Sequence, residues 1–146
     1  MRAIIPAIAL FALAACQPAE TPESAGTDQG RVAVGPIISA EALEGVYRVA
    51  SINDDDLGDL DTGFAVAITR DRIDVVENCV TTDWSYRFEG QQIVTAPIPG
   101  PTCRRALLPQ ETALIAALTG AQTVSRTPAN GVLIEGSGGS VTLFSQ

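Results

Sequence analysis

One segment of this chain is built to be a helix, and it stands between two stretches built to be strands. Pro109 falls at a first-turn position, Glu111 lies near the positive N-terminal end, and Gly120 follows the last periodic residue. Leu107, Leu114, Ile115 and Leu118 recur at helical spacing, with Glu111 inside the same stripe. A β-rich half, one amphipathic helix and a second β-rich half leave an antiparallel α+β domain as the natural architecture.

The strands are read from alternation and residue type. Val46 to Ile52 is β-branched and aromatic, Phe64 to Ile68 and Arg72 to Val76 follow, and Thr69-Arg70-Asp71 turns between the latter two. Asp83 to Phe88 alternates strictly, which puts Trp84, Tyr86 and Phe88 on one face of a half-buried strand. Glu89-Gly90-Gln91 turns into Gln92 to Thr95, and residues 96–101 read as a Pro-Gly loop. After the helix come Ala121 to Arg126, Val132 to Glu135 and Ser140 to Phe144, separated by Asn130-Gly131 and by Gly136 to Gly139.

The start of the chain reads as an address. Arg2 precedes an apolar run of eleven residues, Ala3 to Leu13, interrupted only by Pro6, and Ala14-Ala15-Cys16 closes it. That layout is a bacterial lipoprotein signal: residues 1–15 would be removed and Cys16 acylated as the new first residue. Eleven apolar residues fall short of the roughly 20 that a membrane-spanning helix needs. Residues 16–41 are expected to be the lipidated cysteine and a flexible tether, rich in Pro, Gly, Ser and Thr at first, with the domain at 42–146. Gln17 is not the Asp of inner-membrane retention in the enteric sorting rule, so the expected location is the outer membrane, facing the periplasm.

Charge and composition remove many functions. Without Arg2 the chain has eight Arg against seventeen acids, a net −9 that repels phosphate backbones and argues against nucleic-acid binding. There is no His and no Lys. Ser-His-Asp triads, Cys-His dyads, His-ligated zinc, Schiff bases and Ser-Lys dyads are all impossible. The expectation is a monomer that is no enzyme and needs no cofactor or metal.

With Cys16 acylated, Cys79 and Cys103 remain, and in an oxidising compartment they are expected to pair. Their bridge would close 25 residues, contributing about 3.5 kcal/mol in the chain-entropy model. Two buried, reduced thiols are the alternative.

These residues together resemble the META domain family of HslJ-like lipoproteins. Leu43-Glu44-Gly45-Val46-Tyr47 is similar to its opening strand, Cys79 to the cysteine of Gly-Cys-Asn, and Tyr86 to a Tyr seven residues on. Gly90 and Ile93 fall where the family turns its hairpin, Cys103 at its second cysteine, Glu111 at the helix acid and Leu118 at the last core leucine. Asn78, Val80 and Trp84 depart from the pattern. The resemblance implies a strongly curved antiparallel sheet, or half-barrel, with one helix packed on it. It also implies an envelope protein linked to stress tolerance, with no established reaction.

Several residues admit two readings. Glu111 is either a general acid of raised pKa or a first-turn carboxylate that satisfies backbone donors or an Arg, the reading preferred here. Trp84, Tyr86 and Phe88 line a ligand groove or form the core beneath the helix. Arg104 and Arg105 contact an anion or are surface charges. The five Asp of residues 53–61 suit calcium by chemistry but lack its usual spacing, so a solvated acidic loop is expected. Asp83 and Glu89 flank the aromatic strand without the fixed spacing of a catalytic pair.

The expected function is therefore a lipid-anchored protein that supports envelope integrity by binding an envelope protein, a glycan or a small ligand. Its alternative is a periplasmic inhibitor of a protease or lysozyme, which needs an arm such as residues 31–41 or 96–102. An acidic surface would steer such an inhibitor toward a basic lysozyme.

Overall fold

The computed structural model describes residues 34–58, 63–76, 79–80, 82–101 and 104–146. Its elements are β1 (Gly35–Pro36), β2 (Gly45–Ile52), β3 (Asp55–Asp56), β4 (Ala65–Ile68), β5 (Arg72–Val76), β6 (Thr82–Glu89) and β7 (Gln92–Pro99). The helix α1 (Pro109–Thr119) follows, then β8 (Ala121–Arg126), β9 (Val132–Gly136) and β10 (Gly139–Ser145). One antiparallel sheet runs in the order β1-β8-β9-β10-β2-β4-β5-β6-β7, with β3 paired beside it on β2. The sheet curls strongly enough to bring β7 alongside β8, although the two share no ladder. The fold is α+β, as the sequence pattern predicts, and it is the half-barrel with one packed helix that the resemblance implies.

Alternation decides which side chains fill the curl. Tyr47 and Val49 of β2, Val66 and Ile68 of β4, Trp84 and Tyr86 of β6, and Val141 and Leu143 of β10 are buried. Leu114, Ala117 and Leu118 of α1 pack into the same core. Outward neighbours such as Val46 and Arg48 are exposed.

Four sequence expectations need correction. The acidic run after β2 opens as a two-residue hairpin turn: Ile52 pairs with Asp55, and Asn53 and Asp54 take positive φ of 49° and 78°. The strand predicted over 92–95 continues through Pro97 and Pro99, which pair with Trp84 and Thr82. Prolines fit there because β7 ends the sheet, so its outer edge needs no N–H donor. The folded body also starts before Ala42. Val34 and Ile37 donate backbone hydrogen bonds to Arg126 and Val124, and Ile37 is buried. Finally, Leu107 precedes the helix, so helical spacing does not apply to it, and it is exposed.

The C-terminal end of the helix is seated by absent side chains. Ser137 N donates to Gly120 O at 3.0 Å, bringing the β9–β10 turn against the helix end. A Cβ on Gly138 would lie 1.8 Å from Ala116 O, and one on Gly136 would lie 1.9 Å from Gly120 O. These are backbone collisions, which no rotamer change relieves. Thr95 Oγ1 reaches Leu118 O at 2.9 Å and Thr119 O at 3.1 Å, so β7 supplies a donor to carbonyls the helix leaves unpaired. Trp84 Nε1 donates to Thr119 Oγ1 at 3.0 Å from the same side.

Gly138→Ala is expected to destabilise the domain by about 3 kcal/mol. Gly35→Ala, where an added Cβ meets nothing within 4 Å, should stay within about 0.5 kcal/mol of wild type. Urea unfolding followed through the single, fully buried Trp84 reads both variants.

Candidate functional site

The chemistry is most concentrated at the start of α1. Glu111 is the third residue of the helix and is wholly buried. Four donors converge on its carboxylate. Arg105 donates Nη1–H to Oε2 at 2.8 Å and Nη2–H to Oε1 at 2.7 Å, a two-pronged contact. Leu108 N donates to Oε2 at 2.7 Å, and Cys79 N donates to Oε1 at 3.3 Å. Leu108 is the N-cap and has no polar side chain, so Glu111 reaching back supplies the acceptor that the first turn lacks.

This settles the role of Glu111 between the two readings. The Arg105 hydrogen bonds hold its pKa down to about 2, against the upward push of burial, and the Leu108 and Cys79 amides add to the effect. An acid so held has no proton to give near neutral pH, so it is a structural carboxylate. Arg105 is correspondingly not a free anion contact, since its guanidinium is committed to Glu111 and to Ala106 O. The six-residue separation from Arg105 to Glu111 crosses a non-helical segment, so no periodicity in the sequence announces the pair. Arg104 beside it is exposed.

Trp84 and Tyr86 do not line a surface. Both are buried, Trp84 under the helix end and Tyr86 edge-on to Phe88 with ring centroids 6.0 Å apart. Strict alternation put them on the inner face, and the helix covers that face. Tyr86 donates its hydroxyl to Thr69 O at 2.7 Å. Burial raises its pKa to about 12, with Glu44, Asp71 and Tyr47 adding to the shift.

Three other acids have local partners. Asp83 accepts from Arg72 Nη2 at 2.9 Å, and Glu89 from Arg87 Nε at 2.8 Å. Asp56 Oδ1 accepts from Gly58 N at 2.8 Å. Among the described residues, no cluster of three or more Cys, Asp or Glu is placed to hold a metal ion. Asp59 and Asp61 of the acidic run lie outside the described residues, as do Cys16 and Cys103.

Two concave spaces lie along the seam where β7 meets β8. One, of about 330 Å³, is lined by Gln92, Thr95, Thr119, Gln122 and Ser137 among others. The second, of about 600 Å³, opens where the chain enters the fold, beside Val34, Pro36, Gln92, Val124 and Glu135. Amides and hydroxyls of this kind can hydrogen-bond a neutral polar ligand. The lining of the first cleft, which includes Ser137, holds no base to activate it as a nucleophile.

The ionised form of Glu111 is the one the fold favours. Its stabilising contribution is complete above about pH 4.5, the ordinary value, and is lost as pH falls toward 2. Glu111→Gln is expected to cost about 2–4 kcal/mol at pH 7 and to flatten the acid limb of the stability curve between those limits. Urea unfolding across a pH series measures both. An unchanged acid limb would assign it to other carboxylates.

Comparison with known proteins finds no family model, no curated protein and no solved structure that matches this chain.

Proposed function

We propose that this chain is a non-enzymatic outer-membrane lipoprotein with a META-like domain, acting by binding and supporting envelope integrity under stress. The observation that carries the domain reading is the architecture itself. The half-barrel with one helix is what the sequence resemblance implies, and its acid, Glu111, organises the helix start. Lipid anchorage rests on the Leu-Ala-Ala-Cys16 sequence, with the acyl chains of Cys16 as the contact with the bilayer. No helix among the described residues is long and apolar enough to cross a membrane.

The non-enzymatic reading is supported by the state of the buried acid. Glu111 is ionised and saturated with donors, and the chain has no His or Lys to replace it as a proton carrier. Binding remains, and the smaller seam cleft offers uncharged hydrogen-bonding groups for a glycan or another neutral polar ligand. The disulfide-bonded state of Cys79 supports the Cys79–Cys103 bridge proposed with this reading. The inhibitor alternative loses support from the fold, since part of each candidate arm is held in the sheet, as β1 and as the end of β7.

A host strain lacking this protein is expected to become sensitive to heat and to antibiotics that the outer membrane excludes. Wild type should restore resistance and Cys16→Ala should not. Equal rescue by both forms would remove the anchor from the function, and an insensitive deletion strain would remove the envelope role. Mass analysis of the mature protein should find an acylated Cys16 at its first position. A peptide map should find Cys79 joined to Cys103; two alkylatable thiols would overturn the bridge.

A further inference from the structure

We infer that Asn130-Gly131 is a self-modification site: the Thr127 hydroxyl holds it intact in the folded domain, and it deamidates when the turn between β8 and β9 opens. Both residues are required by the turn that contains them. Asn130 takes a φ of 60°, the left-handed conformation that asparagine tolerates better than most residues. Gly131 has no room for a side chain, since an added Cβ would lie 2.9 Å from Phe144 Cε1 and 3.0 Å from Leu143 O. The hairpin therefore carries an Asn-Gly pair for reasons of shape, and with it that pair's chemistry.

That chemistry needs only water. Gly131 N, once deprotonated, attacks Asn130 Cγ, and the new C–N bond closes a succinimide ring. The Cγ–Nδ2 bond breaks, and Nδ2 leaves as ammonia, taking up a proton that balances the one lost from Gly131 N. Water then adds to either ring carbonyl and opens the ring to aspartate or isoaspartate. Glycine favours the attack, because no Cβ shields its nitrogen. In the fold the reaction is blocked at its start. Gly131 N donates to Thr127 Oγ1 at 2.9 Å, and both residues are buried. Two further bonds, Asn130 N to Thr127 O at 2.9 Å and Thr127 N to Gly131 O at 3.0 Å, close the turn around that contact. A proton donated to a buried acceptor is harder to remove, and burial disfavours the amide anion that would attack. Asn130 itself is exposed, so the protection lies with the nucleophile.

The change runs one way. Aspartate adds a negative charge at the turn, and isoaspartate also adds a methylene to the main chain beside paired strands, where Arg126 and Val132 form the next rung. A turn lengthened in this manner cannot restore the Gly131–Thr127 contact in the same register. Each opening of the turn thus exposes the chain to a permanent mark.

The test is peptide mapping by mass spectrometry of the purified full-length protein during incubation in mildly alkaline buffer. Folded wild type is expected to deamidate at Asn130 at least about tenfold more slowly than the same chain unfolded in urea. Thr127→Val removes the hydroxyl and keeps the shape, and should speed deamidation of the folded protein about fivefold, the factor set by one net hydrogen bond. Thr127→Ser keeps the hydroxyl and should stay within about twofold of wild type. Val66→Ala, a core truncation in β4 outside this hairpin, separates local guarding from general stability. It should lower the unfolding midpoint and leave the deamidation rate within about twofold. If Thr127→Val does not fold, hydrogen exchange of the wild-type Gly131 amide carries the test, with protection of at least about tenfold expected. Equal rates in the folded and unfolded chain overturn the inference, as do equal rates in Thr127→Val and Thr127→Ser. An equal acceleration in Val66→Ala and Thr127→Val, or free exchange of the Gly131 amide, overturns it too.

Discussion

A carboxylate with no contact with water controls how this domain is joined at its most irregular point. The sheet holds itself through ladders, and its inner face is ordinary apolar core. The start of the helix has no such resource. It begins on a leucine that cannot cap it, follows a loop with two adjacent arginines, and sits against the connection from β5 to β6. Glu111 answers all three needs with two oxygen atoms. Burying a charge is costly unless each of its lone pairs is met, and here four donors meet them. Deleting the carboxylate would leave two backbone N–H groups without the acceptor they share.

The other end of the helix is governed by shape. Gly120, Gly136 and Gly138 let backbone touch backbone where the β9–β10 turn meets the last helical residues. At one end the helix is fixed by hydrogen bonds to charge, at the other by close contact and the hydroxyl of Thr95. Between them Leu114, Ala117 and Leu118 fill the curl of the sheet. Because the same helix touches β2, β6, β7, β9 and β10, it sets the curvature that brings β7 to the seam with β8. These two clefts lie along that near-closure, and their polar linings come from strand and turn residues together with Thr119 at the helix end.

Much of this was legible from residue order. Alternation located the aromatic strand and its inward face, and helix punctuation placed Pro109 and Gly120 at the correct ends. The preferred reading of Glu111, a first-turn acid that takes backbone donors or an Arg, is what the site shows. What stayed hidden has physical causes. Two-residue strands such as β1 and β3 are too short to carry a period, so Ile37 read as tether and Asp55 as loop. Proline argues against a strand only where its N–H would be needed, and sequence alone does not say which strand is last in a sheet. The Arg105 partner of Glu111 sits outside any helix, where spacing carries no geometry. Trp84 and Tyr86 were weighed as groove or core, and only the position of the helix decides between these.

The prolines of β7 have a consequence beyond local conformation. A half-barrel that does not close leaves a terminal strand whose outer margin would template a neighbouring chain. Pro97 and Pro99 remove two donors from that margin, and their rings occupy the space an incoming strand would need. At the opposite limit of the sheet the final strand is only two residues long and also contains a proline, Pro36. Both boundaries are thus unfit for stacking into fibrils, a safeguard of most value wherever many copies are confined to a plane.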